Sequence, residues 1–292
     1  MMHKFAIIGA AGYVAPKHMK AIKDNGGEIV AVVDPFDSIG VIDSFSLDTL
    51  YFKEMRPFME YVKGKVDYIS ICSPNYLHCE HVSRALNAGA NVICEKPMVL
   101  DPDDIELIRI NEERSKRKVF NVLQLRVHPE IIKLKKKYEK LKDEKIVVNL
   151  NYFTARGDWY YNSWKGDIEK SGGIVFNIGI HLFDMLLWIF GNLEHVKESF
   201  IDSKNSKGTL ILEKAIVNWH LSTDKKVFGN IDKNVLRTIQ IGNEMIEFSN
   251  GFTDLHSKVY RDILSGGGYG VDDVEASIYS VYKLKGRGER RM

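Results

Sequence analysis

A lysine and a histidine about eighty residues apart have the surroundings best suited to redox chemistry. Lys96 follows an apolar run, within Glu95-Lys96-Pro97, and His181 follows the glycine-rich segment 171–179. Beside a nicotinamide, one such group can orient an alcohol while the other removes its proton, which is what oxidation of a hydroxyl requires. The pair predicts an oxidoreductase if the chain also forms a dinucleotide site.

The N-terminal strand and the turn after it have the features of such a site. The turn residues that follow the apolar run 5–8 are Gly9, Ala11, Gly12, Tyr13 and Val14. The two glycines permit a tight turn into a helix, whose free N–H groups and dipole can face a pyrophosphate. Asp34, at the end of the second strand, can accept both hydroxyls of an adenosine ribose, and no arginine follows it. The cofactor is therefore expected to be NAD rather than NADP.

Two further strand ends carry polar side chains. The residues after these apolar runs are Ser73, Pro74, Asn75, His78, Glu95 and Lys96, and Gln124 ends the last strand of the series. Open parallel sheets bind ligands at the carboxyl ends of their strands, so these residues are expected to contact the cofactor. Ser73 or Asn75 could equally cap the following helix. The ammonium of Lys96 can bind a hydroxyl and stabilise negative charge on oxygen, and Pro97 can adopt a cis bond.

The order of apolar segments predicts an α/β protein of two domains. Residues 1–124 alternate strands and helices, which indicates a parallel sheet covered on both faces. In residues 125–292 the strand 145–154 and two strand pairs, about 208–221 and 235–248, indicate a large, open, mostly antiparallel sheet with a hairpin at Gly242-Asn243. Such a free sheet face is a common self-association surface. The final helix, about 272–282, could pack on either domain.

Composition excludes several classes of protein. The chain has 292 residues, 45% hydrophobic residues and a net charge of +2, so nothing favours a nucleic-acid partner. No apolar run approaches the roughly 18 residues of a membrane span, and the N-terminus runs directly into a strand. Three cysteines, an odd and low number, indicate a reducing cytoplasm. Neither their spacing nor that of His78 and His81 matches a metal motif, so no metal is expected.

Taken together, these motifs resemble the Gfo/Idh/MocA oxidoreductases over nearly the whole chain. The matching segments are the N-terminal turn, Ser73-Pro74-Asn75 with His78, Glu95-Lys96-Pro97, and Gly172-Gly173 leading to Gly179 and His181. The resemblance implies a Rossmann domain, a second α/β domain with an open antiparallel sheet, and NAD(P)-dependent hydride transfer with a sugar or polyol. It also implies a homodimer or homotetramer built through the sheet. Lys96 and His181 match the family's catalytic lysine and histidine.

The chain departs from the family at one position. Aspartate commonly stands four residues before the histidine, where this chain has Asn177. At positions i and i+4, Asn177 and His181 would share one helix face toward the substrate. Asparagine can orient a hydroxyl but cannot take its proton, so the base is either His181 or Lys96. Histidine has the better intrinsic pKa for this role, but the sequence leaves the assignment open.

A closer resemblance is to the bacterial UDP-N-acetylglucosaminuronate 3-dehydrogenases. The segments that carry it are 9–22, 156–160, 163–165, 177–181 and 252–256. It implies oxidation of the 3-hydroxyl of a UDP-linked sugar acid, on the way to the sugars of lipopolysaccharide O-antigen and other surface polysaccharides. It also implies that NADH could be recycled by 2-oxoglutarate.

A UDP-sugar acid needs cations for its diphosphate and carboxylate. Arg126, Arg156 and Lys165 lie in segments that should flank the site, and arginine can bind either group with two donors. Tyr160 and Trp164 can stack on a sugar or uracil face, and Gln124 can contact the sugar. Alternatively, these aromatic residues do not bind a ligand and belong to a loop that packs on the neighbouring domain or subunit.

Two other functions remain open from the sequence. One is a dehydrogenase of a free sugar or polyol, against which the cationic and aromatic segment 156–165 argues. The other is a non-catalytic regulator that binds NAD and a sugar. The presence of both Lys96 and His181 argues against a regulator, because a sensor does not need the two groups together.

Overall fold

The structure is a computed structural model that describes residues 2–140, 145–229 and 233–288, without the side chains of residues 287 and 288. The chain divides into two compact units. The first comprises Met1–Leu123 and Asp254–Val274, and the second comprises Gln124–Thr253 and Glu275–Met292. Among the described residues, each unit contains one sheet of six strands.

The first unit begins with alternating strands and helices. In chain order they are β1 (Lys4–Ile8), α1 (Ala15–Asp24), β2 (Glu28–Val33), β3 (Leu50–Phe52), α2 (Met55–Val62), β4 (Tyr68–Ile71), α3 (His78–Asn87), β5 (Asn91–Cys94), α4 (Asp103–Ser115) and β6 (Val119–Asn121). The sheet order is β3-β2-β1-β4-β5-β6, and neighbouring strands are parallel. This confirms the predicted Rossmann arrangement.

These segments form a parallel sheet because their side chains are apolar on both faces. Phe5 and Ile7 of β1 point to opposite faces from Ala6, yet all three are 0% exposed. Helix α1 is amphipathic and buries Met19 and Ile22. The sheet is therefore covered on both sides, and its carboxyl edge is left for binding.

The second unit contains the remaining strands. Its elements are α5 (Pro129–Tyr138), β7 (Ile146–Thr154), α6 (Asp158–Tyr161), α7 (Ile168–Ser171), α8 (Gly173–Asn177), α9 (Gly179–Phe190), β8 (Leu193–Ile201), β9 (Asn205–Leu212), β10 (Ala215–Ser222), β11 (Val235–Ile241) and β12 (Glu244–Glu247). The sheet order is β12-β11-β7-β10-β9-β8, in which β7 and β10 are parallel and the other neighbours antiparallel. Gly242, at φ +58°, turns β11 into β12 as the sequence predicts.

The two faces of this sheet differ in polarity. On the inner face Phe183 of α9 meets Trp219 of β10 edge to face, with ring centroids 5.1 Å apart. The outer face has a groove of about 580 Å³ whose polar lining includes Asn149, Asn151, Glu198, Thr209 and Asn218. Alternation along each strand therefore leaves one face of the second sheet open, as predicted.

Two helices complete the described residues, α10 (Leu255–Leu264) and α11 (Val271–Gly288). Helix α10 lies in the first unit and packs on α1. Asn25 donates to the carbonyl of Ser257 at 3.0 Å, and the Ser257 hydroxyl donates to Asp24 at 2.6 Å. The first unit is thus built from two separate stretches of chain. The return of the chain to this unit was not predicted from the sequence.

Among the described residues, no single helix is both long and apolar enough to cross a membrane. The segments Ile168–Asn177 and Gly179–Phe190, bent by 44° at their junction, satisfy the length and composition criteria only as a pair. Almost every residue of α9 is buried within the second unit.

Candidate active site

The turn between β1 and α1 has no room for larger residues at its two glycines. Gly9 has φ +87°, and a Cβ added there would lie 2.6 Å from the backbone nitrogen of Ser73. A Cβ at Gly12 would lie 2.9 Å from the carbonyl oxygen of Cys72. Tyr13 is 74% exposed, and Val14 precedes the first residue of α1. The turn therefore packs closely on the end of β4, as a dinucleotide-binding turn must.

Asp34 follows β2 and contacts this turn directly. Its side chain is 6% exposed, its Oδ2 accepts a hydrogen bond from the Ala11 amide at 2.9 Å, and its Oδ1 accepts one from the Phe36 amide at 2.9 Å. Each carboxylate oxygen has a second lone pair. The carboxylate is thus fixed beside the turn with acceptor capacity left for ribose hydroxyls.

The turn after β4 holds a chain of hydrogen bonds rather than a helix cap. The Ser73 hydroxyl bonds to His81 Nδ1 at 2.8 Å, and Asn75 is 4% exposed in the 3-10 turn Asn75–Leu77. Leu77 occupies the N-cap position of α3 and provides no side-chain cap. The intervening 3-10 turn thus moves the start of α3 away from Ser73 and Asn75, and neither occupies its N-cap position.

Lys96 lies at the end of β5 on the same edge of the sheet. It is half-buried between the buried residues Glu95 and Pro97, and the Lys96–Pro97 peptide is cis. His78 of α3 contacts this segment, because its Nδ1 is 2.7 Å from the Pro97 carbonyl oxygen. The turns after β4 and β5 are thereby joined.

The strand order explains why these residues can form one site. Along the sheet β2, β1, β4 and β5 are neighbours, and their carboxyl ends carry Asp34, Gly9, Ser73 and Lys96. The chain leaves β1 toward β2 on one side and reaches β4 on the other, which creates the crevice where open α/β sheets bind ligands. The donor turn, the fixed carboxylate and the tight glycine contacts all fit a dinucleotide.

In the second unit, Asn177 and His181 occupy two helices rather than one helix face. Asn177 ends α8 and His181 lies in the first turn of α9, with Ile178 at the break. Gly172 and Gly173, at φ +78° and +74°, start α8 in a conformation that breaks a continuous helix. The predicted i, i+4 arrangement on a single helix is therefore wrong.

Both side chains are buried and have polar partners. Asn177 is 6% exposed and donates through Nδ2 to the Tyr160 hydroxyl at 2.6 Å. His181 is 9% exposed, and its Nε2 is 3.3 Å from Gln124 Nε2. Since an amide nitrogen only donates, His181 Nε2 accepts in this orientation. The structure thus brings together Gln124 with His181, and Asn177 with Tyr160.

Arg126 is held in a buried ion pair. Its Nε and Nη2 donate to the two carboxylate oxygens of Asp184 at 3.0 and 2.7 Å, with side-chain exposures of 7% and 2%. Its guanidinium also lies 5.9 Å from the centre of the Trp188 ring. Any contact of Arg126 with a ligand must therefore be made with Asp184 already bound.

The segment around α6 presents fewer accessible rings than the sequence suggests. Tyr160 is only 4% exposed, and burial raises the pKa of its hydroxyl. Its neighbour Trp159 is 52% exposed. Arg156 lies 5.9 Å from the Tyr160 ring, and Lys165 lies 4.0 Å above the Trp164 ring. Tyr160 therefore supports Asn177, while Trp159 presents the exposed ring of this segment.

The first unit also contains a cluster of two histidines and a glutamate that was not predicted from the sequence. Among the described residues, His18, Glu95 and His256 form the group of three possible metal ligands, with their ligand atoms within 4.8 Å of one another. His18 and His256 are 238 positions apart, so no local spacing signals their contact. The two histidines occur in segments that carry the family resemblance, which is the only sequence signal for them.

Comparison with protein families identifies both parts of the chain. Residues 3–122 match the NAD-binding Rossmann fold of the oxidoreductase family, and residues 144–238 match the C-terminal alpha/beta domain of that family. The chain belongs to the Gfo/Idh/MocA oxidoreductase family.

Solved structures of this family match almost the entire chain. The WlbA (WbpB) dehydrogenase of Thermus thermophilus in complex with NAD and UDP-GlcNAcA is 42% identical, with a TM-score of 0.92, over 97% of this chain and 95% of that chain. The structure of the same enzyme with NAD and alpha-ketoglutarate is 43% identical, with a TM-score of 0.93, over the same shares of the two chains.

Matches to curated relatives are more distant. The 2,7-anhydro-N-acetylneuraminate hydratase of Mediterraneibacter gnavus is 30% identical over 203 residues, which are 65% of this chain and 50% of that protein. The chain thus spans about half the length of this relative.

Proposed function

We propose that this protein is an NAD-dependent dehydrogenase that oxidises the 3-hydroxyl of UDP-N-acetylglucosaminuronate for the synthesis of lipopolysaccharide O-antigen and related sugars. The observation that carries the proposal is the 42% identity, over 97% of the chain, with a dehydrogenase bound to NAD and UDP-GlcNAcA. The tight glycine turn and the fixed carboxylate of Asp34 support the cofactor, and the contact between Gln124 and the buried His181 supports the chemistry.

The first unit would bind the cofactor, which supplies a hydride acceptor. The amides of the turn at Gly9, Ala11, Gly12, Tyr13 and Val14 would face its pyrophosphate. Asp34 would accept the ribose hydroxyls and repel a 2′-phosphate. The nicotinamide end would be contacted by Ser73, Pro74, Asn75 and Lys96 at the other strand ends, and by Gln124 of the second unit. His78 and Glu95 would act indirectly by holding these turns in place.

Oxidation requires one group to remove the hydroxyl proton as the hydride leaves C3. His181 or Lys96 would take that proton. An ammonium form of Lys96 would instead bind the hydroxyl oxygen and stabilise its developing charge. Asn177, fixed by Tyr160, would orient the hydroxyl without exchanging a proton.

The acidic groups of the substrate would be bound by cations of the second unit. Arg156 and Lys165 lie beside the rings of Tyr160 and Trp164, so this segment offers charge and an aromatic surface together. Arg126 would act with Asp184 bound.

Two further features of the proposal concern cofactor recycling and assembly. NADH would be reoxidised in place by 2-oxoglutarate, which the alpha-ketoglutarate complex of the Thermus thermophilus enzyme supports. A homotetramer or homodimer would form through the open face of the second sheet, where Val147 and Phe200 are 51% and 56% exposed. The three cysteines are free thiols, which supports a reducing cytoplasm as the compartment.

The test is to incubate the protein with UDP-N-acetylglucosaminuronate, with and without 2-oxoglutarate, and to follow NADH absorbance and the mass of the sugar. A product lighter by two hydrogens is expected, and product in quantity only with 2-oxoglutarate would demonstrate recycling. UDP-N-acetylglucosamine, which lacks the carboxylate, is the matched substrate and should react much more slowly.

Other outcomes separate the alternatives. Turnover of free sugars or polyols, but not of the UDP-sugar acid, would contradict the proposed substrate. Binding of NAD without any oxidation would favour a regulator. His181→Asn should lose turnover while retaining NAD, and near-normal turnover would assign proton removal to Lys96.

A further inference from the structure

A buried glutamate next to Lys96 is shared by two histidines. Glu95 is 6% exposed at the end of β5. Its Oε1 lies 3.0 Å from His18 Nε2 and 2.8 Å from His256 Nε2. His18 belongs to α1 and His256 to the first turn of α10. One carboxylate oxygen therefore ties together a strand end, the helix that follows the glycine turn, and a helix from a distant part of the chain.

Hydrogen bonds extend this cluster to a second strand. His18 Nδ1 is 2.7 Å from the Tyr260 hydroxyl, which is 2.7 Å from Ser70 Oγ on β4. A carboxylate only accepts, so both Nε2 atoms donate to Glu95. His18 Nδ1 then accepts from Tyr260, whose oxygen accepts from Ser70. Donors and acceptors match along the whole series without a metal ion.

The charges of the cluster follow from its burial and from its hydrogen bonds. Burial raises the pKa of the Glu95 carboxyl, but the hydrogen bonds from His18 and His256 outweigh this and hold that pKa well below its usual range. Burial lowers the pKa of His18. Glu95 is therefore a carboxylate at neutral pH and His18 a neutral imidazole, so His18 fixes the carboxylate without carrying a charge.

A third histidine fixes the other side of Lys96. His78 is 0% exposed, with Nδ1 2.7 Å from the Pro97 carbonyl oxygen and Nε2 2.8 Å from the Ser73 carbonyl oxygen. A neutral imidazole has one N–H and can donate to one of these oxygens, whereas an imidazolium can donate to both. In either form His78 fills the space between the two turns.

The backbone of Lys96 is thus fixed on both sides. Its amide donates to Glu95 Oε2 at 3.2 Å, and the Glu95 carbonyl accepts from Asn121 Nδ2 at 3.2 Å. The carboxylate that receives the Lys96 amide is the same one that His18 and His256 hold. Loss of either histidine would leave the buried Glu95 carboxylate, which directly precedes Lys96, without one of its hydrogen-bond donors.

We propose that His18, His256 and His78 are positioning residues for Lys96. His18 and His256 act through Glu95, and His78 acts through Pro97. Because His18 also belongs to the helix after the glycine turn, the cluster fixes the position of Lys96 relative to that turn. The inference rests on the proposed role of Lys96 in alcohol oxidation.

The decisive comparison is His256→Leu against His256→Gln. Leucine removes the donor to Glu95, whereas the glutamine amide nitrogen can replace Nε2. We expect His256→Leu to lower kcat roughly tenfold or more, because a small misplacement of a catalytic group has large kinetic effects. NAD affinity should change by less than about twofold, and His256→Gln should restore most of kcat. Asn111→Leu, which removes the part-buried hydrogen bond from Asn111 to Ser83 in the same unit, is the control and should keep kcat.

A double-mutant cycle tests whether the effect passes through Lys96. In a Lys96→Met background, His256→Leu should have little further effect on kcat, because the positioned group is gone. An equal fractional loss of kcat in both backgrounds would overturn the proposal, as would normal kcat in His256→Leu. If His256→Leu does not fold, His78→Gln is measured in the same two backgrounds with the same criteria.

Hydrogen exchange separates this inference from the proposed function. The amides of Cys94, Glu95, Lys96 and Met98 should exchange faster in His256→Leu than in wild type, and at wild-type rates in His256→Gln and Asn111→Leu. If the protein does not oxidise the UDP-sugar acid, the proposed function fails while exchange still reports on the Lys96 turn. Unchanged exchange in an enzyme that does oxidise it would reject the positioning role alone.

Discussion

Each candidate catalytic side chain lies near a buried carboxylate, but the two units hold that carboxylate differently. In the first unit Glu95 precedes Lys96 and accepts from His18 and His256. In the second unit Asp184 lies one helical turn after His181 and accepts two bonds from Arg126. The donors are imidazoles in one case and a guanidinium in the other.

The difference concerns how each carboxylate responds to pH. Arginine remains charged throughout the range in which proteins fold, so its pair with Asp184 does not depend on a titrating donor. Histidine changes its charge near neutrality. Burial lowers the pKa of His18, so this donor of Glu95 gains a charge in acid, whereas the donor of Asp184 keeps its charge.

Three buried histidines together give the largest expected effect, a loss of stability of the first unit in acid. Burial lowers the pKa values of His18, His78 and His81, that of His81 to about 4. In the unfolded chain these pKa values return to about 6.5, so unfolding takes up protons below that pH. The free energy of unfolding thus reaches its full value above about pH 6.5 and falls as the pH drops toward 4. His81 alone should contribute a loss of about 2 kcal/mol between pH 7 and pH 5.

The measurement is hydrogen exchange at both pH values, corrected for the intrinsic pH dependence of exchange. Peptides from α1 and α3 should lose more protection than peptides from α9. In the second unit, burial also lowers the pKa of the half-buried His220, so a smaller loss there is expected. Equal losses in both units would contradict the assignment of the strongest acid sensitivity to the buried histidines of the first unit.

The next largest effect should follow removal of one partner from the ion pair. Asp184→Leu leaves the Arg126 guanidinium buried without its carboxylate and should lower the free energy of unfolding by about 3–5 kcal/mol. All four tryptophans belong to the second unit, so denaturant unfolding followed by tryptophan fluorescence measures the change.

The control is the double variant Arg126→Met/Asp184→Leu, which replaces both charges by apolar groups. It should recover most of the lost stability, because removing a whole buried pair is often close to neutral. A double variant as unstable as Asp184→Leu would show that packing, rather than the unpaired charge, causes the loss.

The smallest expected effect comes from the outer part of the histidine cluster. Tyr260→Phe removes the hydroxyl between His18 and Ser70 but leaves Glu95 with both histidine donors. Unsatisfied buried groups of this kind cost about 1–3 kcal/mol. Thermal unfolding should show this loss with kcat nearly unchanged, whereas a collapse of kcat would mean that Tyr260 does more than support His18.

Much of the fold could be predicted because its signals are local. Apolar runs separated by helices specified the parallel sheet, and Gly242-Asn243 specified the β11–β12 hairpin. The break at Ile178 was missed because the apolar pattern of 174–190 is continuous and the bend between α8 and α9 carries no local signal in the sequence. The 3-10 turn before α3 was missed because its sequence also suits a cap.

The candidate site was less predictable. The sequence selected Asp34, Lys96 and His181 by residue type and position at strand or helix ends. It selected Tyr160 for its ring, which is buried, and Arg126 for its charge, which Asp184 neutralises. Residue type reveals what a side chain can do, but not whether it is buried or already bound to a neighbouring residue.

The sequence by itself determined the alternation of strands and helices in residues 1–124, the glycine turn, and the identity of the lysine and histidine available for chemistry, because each depends on residues close together in the chain. Only the tertiary structure decided that residues 254–274 return to the first unit. It alone placed His18 and His256 on Glu95, 77 and 161 positions away. Such contacts depend on how helices pack on a sheet, and packing distances are not encoded in any local pattern.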